Sequence, residues 1–186
     1  MTNTDPEVIL SQGEVAAAIK TATAEVFSMM LGMEAAAGED FTEKAGGVAP
    51  ASGVVSLIGL AGGWVGTGSL ACTAALACKL TSQLLMSEFE TINEEVLDSV
   101  AELTNMIIGN VKTVLEEKVG PMGLSTPTVI FGLNFQTRSA RNHEWTVVPF
   151  TCGDAQLFVQ LCLAPNRDTV PKNLHPGFPM PQVLSR

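Results

Sequence analysis

The chain has 186 residues, of which 46% are hydrophobic and 16% are charged, and this composition is typical of a folded globular protein. Its formal net charge is −9, from 10 Lys and Arg against 19 Asp and Glu. Binding to a nucleic acid backbone depends on clustered cations, so the charge argues against nucleic acid as a partner. The length fits a single domain.

The hydrophobic pattern alternates between helical and strand periods along the chain. Helices are predicted at Glu14–Leu31, Thr73–Ser87 and about Asn93–Val119, and strands at Val54–Leu60, Trp64–Ala71, Thr128–Asn134, Glu144–Phe150 and Gln156–Ala164. Gly32 is expected to end the first helix, and Gly120-Pro121 the longest one. Helices mixed with hairpins indicate an α+β domain.

The segment from Ala45 to Cys78 contains no charged residue, which leaves a transmembrane helix as an alternative to the predicted hairpin. Repeated glycines within this segment favour strands joined by a Gly-Gly turn. We therefore expect no membrane insertion. Residues 1–8 lack a basic segment followed by an apolar one, so we also expect no secretory signal.

The four cysteines, Cys72, Cys78, Cys152 and Cys162, lie in apolar runs and have no metal-ligand spacing with the two histidines. We expect them to be buried free thiols, which indicates a reducing compartment and a cytoplasmic protein without a metal site. We predict three segments: an N-terminal extension over 1–13, one domain over 14–164, and a proline-rich tail over 165–186 that is extended or disordered.

The predicted helix at 93–119 carries the candidate site. Its apolar residues gather on one broad face, and a narrow stripe lies opposite, formed by Asp98, Glu102, Asn105, Gly109 and Lys112. Glu102 and Asn105 are expected to project together into solvent. Periodicity alone is also compatible with an ordinary solvated face. However, Asn105 and Gly109 cost up to about 1 kcal/mol each relative to Ala in a helix, which suggests a role in docking.

The segment from Asp98 to Asn110 reads E-x-x-N followed by an apolar triplet, Gly and Asn, and it resembles the signature of the CheC/CheX family of chemotaxis phosphatases. Further segments resemble family elements in family order, namely Glu25–Gly32, Gly53–Leu60, Gly68–Leu70, Ser125–Ile130 and Val147–Phe150. The resemblance covers about residues 14–164. It implies a CheC-like α+β fold with an antiparallel sheet and long helices.

The resemblance also implies an enzyme that removes phosphate from the phospho-aspartate of a CheY-like receiver domain. Glu102 would form a salt bridge with the active-site lysine of the receiver, and Asn105 would position the attacking water. Asp98, Gly109 and Lys112 would contact the same partner. The chain would need no cofactor of its own, because the receiver supplies the Mg²⁺.

The first helix contains a second copy of the motif. Glu25-x-x-Ser28 has the spacing of Glu102-x-x-Asn105, which predicts a duplicated half-domain. Ser28 is too short to extend a carboxamide to the same point, so the copy at Glu25 is predicted to be inactive or structural. One active motif per chain is the arrangement of CheX-like members. The resemblance to these members also implies a homodimer joined through the sheets.

A non-catalytic module is the alternative function. The middle domain of the flagellar switch is related to this family and lacks a working phosphatase motif. The intact pair of Glu102 and Asn105 argues against this alternative. Retained receiver binding without faster dephosphorylation would support it.

Overall fold

The computed structural model describes residues 9–44, 52–133 and 144–166, which form three helices and eight strands. The helices are α1 (Gln12–Val26), α2 (Ala74–Leu85) and α3 (Glu94–Val119), and a π-helical turn at Phe27–Leu31 prolongs α1. The strands are β1 (Ala36–Ala37), β2 (Phe41–Glu43), β3 (Ser52–Gly62), β4 (Trp64–Cys72), β5 (Met122–Leu124), β6 (Thr128–Leu133), β7 (Trp145–Cys152) and β8 (Ala155–Pro165). Most of the predicted tail lies outside the described residues, and the predicted domain boundaries stay predictions.

Polar side chains fix where the helices begin. The Ser11 hydroxyl accepts a hydrogen bond from the Glu14 N–H, while the Glu14 carboxylate accepts one from the Ser11 N–H at 2.8 Å. This reciprocal capping satisfies two backbone donors that the first turn leaves without partners. Thr73 and Asn93 cap α2 and α3 by accepting from a backbone N–H three residues later. The three predicted helices are therefore confirmed, with α1 beginning at Gln12 rather than at Glu14.

The eight strands pair antiparallel in one sheet with the order β1-β7-β8-β4-β3-β5. β1 and β2 both pair with β7, and β5 and β6 both pair with β3. Each edge of the sheet is therefore a strand that is broken into two pieces. The predicted hairpin is confirmed as β3 and β4, and the transmembrane alternative is wrong because residues 54–78 form these strands and the start of α2. β5 was not predicted, since three residues are too few to show a period.

The two halves of the chain have the same order of elements. A helix, a broken edge strand and a long hairpin follow one another in residues 12–72 and again in 94–165. The broken strand of each half pairs with the hairpin of the other half. At both breaks the broken strand has one residue more than the strand it pairs with. Ala37 and Phe41 are four positions apart, but their partners Phe150 and Val147 are only three apart. Leu124 and Thr128 are also four apart, and their partners Leu60 and Leu57 three. This repeated register confirms the predicted duplication.

The three helices share one core with one face of the sheet. The largest fully buried side chains are Phe27, Phe150, Ile19, Ile58, Leu70, Leu76, Leu80, Leu103, Ile107, Ile108, Leu157 and Leu161. α3 approaches the sheet closely at Gly68, where an added Cβ would lie 2.8 Å from Ile108 carbons. Val114, predicted on the apolar face of α3, is instead 51% exposed, because it borders an open groove between α1 and α3.

All four cysteines are buried free thiols, as predicted. Burial raises the pKa of the Cys72 thiol to about 12 and that of the Cys162 thiol to about 11. Both thiols are therefore protonated at neutral pH and act as small apolar side chains rather than as nucleophiles. Over the described ranges, no helix combines the length and the apolar character that crossing a membrane requires.

Candidate functional site

α3 positions the predicted stripe because one side of the helix is fixed against the sheet. Its apolar side packs in the core, where Val100, Leu103 and Ile107 are fully buried. Residues on the opposite side, three and four positions apart, therefore face outward in a row. Asp98 and Glu102 are exposed. Asn105 is half-buried, so it is less exposed than its predicted projection into solvent suggests.

Asn105 is half-buried because it lines a cleft of about 490 Å³ beside α3. The helix supplies one wall, formed by Asp98, Ala101, Glu102 and Asn105, and residues 124–127 supply the other. We call residues 125–127 the 125–127 turn. It is the break between β5 and β6, so the sheet edge itself brings this wall next to the helix.

The side chains of Glu102 and Asn105 make no hydrogen bond or ion pair with any other described residue. A carboxylate offers acceptors and a charge, while a carboxamide offers both a donor and an acceptor. Their neighbouring positions on one helix face leave these groups available to a partner that enters the cleft. Neither group has to break a hydrogen bond or ion pair with a described residue to bind.

The 125–127 turn is held to β3 by two hydrogen bonds between Ser125 and the Gly59 backbone. The Ser125 N–H donates to the Gly59 carbonyl at 2.9 Å, and the Gly59 N–H donates to the Ser125 hydroxyl oxygen at 2.8 Å. The same hydroxyl donates to the Thr126 carbonyl at 3.0 Å. Sequence reasoning noted Ser125 only as part of a family-like segment. Its place in the cleft depends on pairing with a residue 66 positions away, which no local pattern reveals.

Gly109 and Lys112 continue the stripe but do not line the cleft. An added Cβ at Gly109 would meet Leu124 at 3.8 Å, an ordinary contact. The Lys112 ammonium lies 2.8 Å from the Glu116 carboxylate, which also accepts a 2.6 Å hydrogen bond from the Met122 N–H. These two contacts hold the pKa of the Glu116 carboxyl below its usual value. The predicted partner contacts of Gly109 and Lys112 stay predictions.

The second motif has a different setting. Glu25 and Ser28 are exposed, but Ser28 lies in the π-helical turn that ends at Gly32, whereas α3 continues well beyond Asn105. Ser28 borders a separate cleft of about 490 Å³. The Gly32 backbone is left-handed, with φ of 59°, which suits glycine and ends the helix there.

No cluster of three or more His, Cys, Asp or Glu side chains that could hold a metal ion occurs among residues 9–44, 52–133 and 144–166. The groups assembled in the cleft are one carboxamide, two carboxylates and the polar atoms of the turn. Such a set can bind a cation of a partner and can orient a water molecule.

Solved structures of chemotaxis proteins are similar to this chain. CheX from Desulfovibrio desulfuricans is 27% identical with a TM-score of 0.72, over 81% of this chain and 99% of that one. A CheC-like superfamily protein from Shewanella sp. PV-4 is 26% identical with a TM-score of 0.72, over 81% and 97%. The CheX–CheY–BeF3–Mg²⁺ complex from Borrelia burgdorferi contains a chain that is 26% identical with a TM-score of 0.66, over 79% and 96%.

The family comparison agrees with these structures. None of the curated proteins compared matches the chain. The family model described as chemotaxis phosphatase CheX matches residues 54–151, which is more than half of the chain and includes α3 and the 125–127 turn. The chain therefore belongs to the CheX family of chemotaxis phosphatases.

Proposed function

We propose that the protein is a phosphatase that hydrolyses the aspartyl phosphate of a CheY-like receiver domain. The observation that carries this proposal is the pair of Glu102 and Asn105, which have no partner among the described residues and lie side by side in an open cleft. Family membership and the similarity to a chain in a CheX–CheY complex support it.

Asn105 would position the attacking water. In this reaction the water oxygen forms a bond to phosphorus and the bond between phosphorus and the aspartyl oxygen breaks. One proton of the water stays on the phosphate and the other passes to solvent. In-line phosphoryl transfer needs positioning more than a protein nucleophile. A carboxamide can donate to and accept from a water, and it does not repel phosphate as a second carboxylate would.

Glu102 would anchor the receiver. Its exposed carboxylate can pair with the active-site lysine of the receiver, and Asp98 adds negative charge to the same wall. The Mg²⁺ that neutralises the phosphoryl group would belong to the receiver, so this chain contributes no cofactor. A receiver substrate implies a cytoplasmic location. A homodimer stays a prediction, and the broken strands at the two sheet edges are the edges open to it.

The test is the decay rate of a phosphorylated receiver from the same source, alone, with wild type, and with Asn105→Ala. We expect wild type to accelerate decay and Asn105→Ala to lower kcat at least about a hundredfold while the variant still binds the receiver. Ser28→Ala, at the equivalent position of the other motif, is the matched control and should leave the rate unchanged. Binding without acceleration by wild type would instead establish a non-catalytic receiver-binding module.

A further inference from the structure

The wall of the cleft opposite Asn105 makes hydrogen bonds to the neighbouring strand and within itself that its counterpart in the other half of the chain lacks. Ser125 makes three hydrogen bonds through its N–H and its hydroxyl, two to Gly59 and one to the Thr126 carbonyl. Ser125 is exposed and Gly59 is half-buried. Water competes with bonds at such a surface, so their main effect is to restrict the conformation of the turn.

The equivalent break between β1 and β2 has only one of these bonds. The Gly38 N–H donates to the Pro149 carbonyl at 2.8 Å, as the Ser125 N–H does to Gly59. The other two bonds cannot form there, because Gly38 has no side chain and Pro149 has no N–H. The additional bonds thus occur only at the break that faces the E-x-x-N motif.

Gly59 is also fitted to this arrangement. A Cβ added there would lie 3.2 Å from the Ser125 hydroxyl oxygen and 3.6 Å from its Cβ. A side chain at position 59 would therefore make a tight contact with the Ser125 side chain, which would have to shift by a few tenths of an ångström. The absence of a side chain at Gly59 therefore leaves room for the Ser125 hydroxyl.

We propose that Ser125 is a positioning residue, which with Gly59 holds the 125–127 turn as a preformed docking wall for the receiver, opposite Glu102 and Asn105. This inference rests on the proposed function. A wall that is already ordered loses less conformational entropy when the receiver binds. The wall contacts the receiver equally in the bound complex and in the transition state. It therefore lowers KM and leaves kcat unchanged.

The first experiment measures dephosphorylation kinetics and, separately, the affinity for the receiver loaded with Mg²⁺ and beryllofluoride. Ser125→Ala removes the two exposed hydrogen bonds of the hydroxyl and should raise both KM and Kd about threefold to tenfold, with kcat within about twofold of wild type. Ser125→Thr keeps the hydroxyl and should restore both values. Asn105→Ala should show the opposite split, with kcat lost and Kd retained.

A second pair of variants controls for general disturbance of the sheet edge. Gly59→Ala should raise Kd as Ser125→Ala does. Gly38→Ala introduces a comparably tight contact, 3.1 Å from a Pro149 side-chain carbon, at the break away from the motif and should leave Kd unchanged. Wild-type affinity in both Ser125→Ala and Gly59→Ala would overturn the docking role, and so would a fall in kcat at unchanged KM. Failure of wild type to bind would instead overturn the proposed partner.

Discussion

The Lys20 ammonium lies 2.5 Å from the Asp40 carboxylate and joins α1 to the break between β1 and β2. This ion pair lowers the pKa of the Asp40 carboxyl. By the duplication, Leu97 and Pro127 take the equivalent positions in the second half, where no such pair can form. The cleft beside Asn105 is therefore open at the position where the Lys20–Asp40 pair joins the helix to the edge strand in the first half.

This asymmetry predicts that the second motif cannot be activated by one substitution. Ser28→Asn in an Asn105→Ala background should restore no phosphatase activity, because the π-helical turn displaces the new carboxamide and the Lys20–Asp40 pair bridges the site. The decay rate of a phosphorylated receiver measures this directly. Acceleration above that of Asn105→Ala alone would contradict the prediction.

The exposed carboxylate of Glu102 is predicted to act in binding rather than in the chemical step. Glu102→Gln keeps the size of the side chain and removes the charge that would pair with the receiver lysine. KM should rise about tenfold while kcat changes little. Steady-state kinetics measure both values. Glu25→Gln, at the equivalent position of the other motif, should match wild type, and an equal rise in its KM would refute a specific role for Glu102.

The ion pair between Glu14 and Lys118, with atoms 2.6 Å apart, joins the start of α1 to the last turn of α3. Hydrogen bonds from Lys118 and then from Ser11 lower the pKa of the Glu14 carboxyl from 4.5 to about 2. Because the pKa of Glu14 is lower in the folded state, the ionised carboxylate stabilises the fold fully above pH 4.5. This stabilisation is lost as the pH falls towards 2.

Unfolding curves of wild type and Glu14→Gln between pH 7 and pH 2 test this linkage. The difference in unfolding midpoint should shrink over the window from about 4.5 to about 2. Glu117→Gln removes an exposed carboxylate for which no ion pair occurs among the described residues and serves as the control. A difference between wild type and Glu14→Gln that stays constant across this window would contradict the linkage.

Gly68 of the sheet lies close to the Ile108 side chain of α3. A methyl at position 68 would lie 2.8 Å from three Ile108 carbons, so Gly68→Ala should destabilise the fold by about 1–3 kcal/mol. Ile108→Ala alone should cost about 2–5 kcal/mol through the cavity it leaves. The double variant should be more stable than the sum of the two costs predicts, because each change relieves the other.

Denaturant unfolding of the four proteins in this cycle gives the coupling free energy. Gly123→Ala is the control, since its Cβ would make only an ordinary contact 3.7 Å from the Ala61 carbonyl, and it should change stability by less than about 1 kcal/mol. Strict additivity of the Gly68 and Ile108 changes would show that α3 and the sheet do not meet as tightly as this contact indicates.

The longer elements and the candidate stripe could be predicted because both depend on local periodicity. The helix predicted from Asn93 to Val119 is observed as α3, and the predicted hairpin is observed as β3 and β4. A buried helix face repeats every three to four residues and a strand face every two, so each is visible within one segment. β5 escaped prediction because it spans only Met122–Leu124.

The surroundings of the site could not be predicted in the same way. Asn105 was expected to project into solvent, yet it is half-buried and lines a cleft whose other wall includes the 125–127 turn, which Gly59 on another strand helps to position. Nothing near Ser125 in the chain indicates this pairing. The burial of Asn105 is therefore a consequence of strand order rather than of helix periodicity.

The sequence by itself determined the α+β class, the main helices and strands, the duplicated motif and the grouping of Glu102 with Asn105, because these follow from spacing within single segments. Only the tertiary structure decided that each broken edge strand pairs with the opposite half, that Ser125 meets Gly59, and that Lys20 reaches Asp40 to bridge the first half. Those relationships join residues far apart in the chain. They depend on the register of the whole sheet and on the packing of helices across it, which no local period encodes.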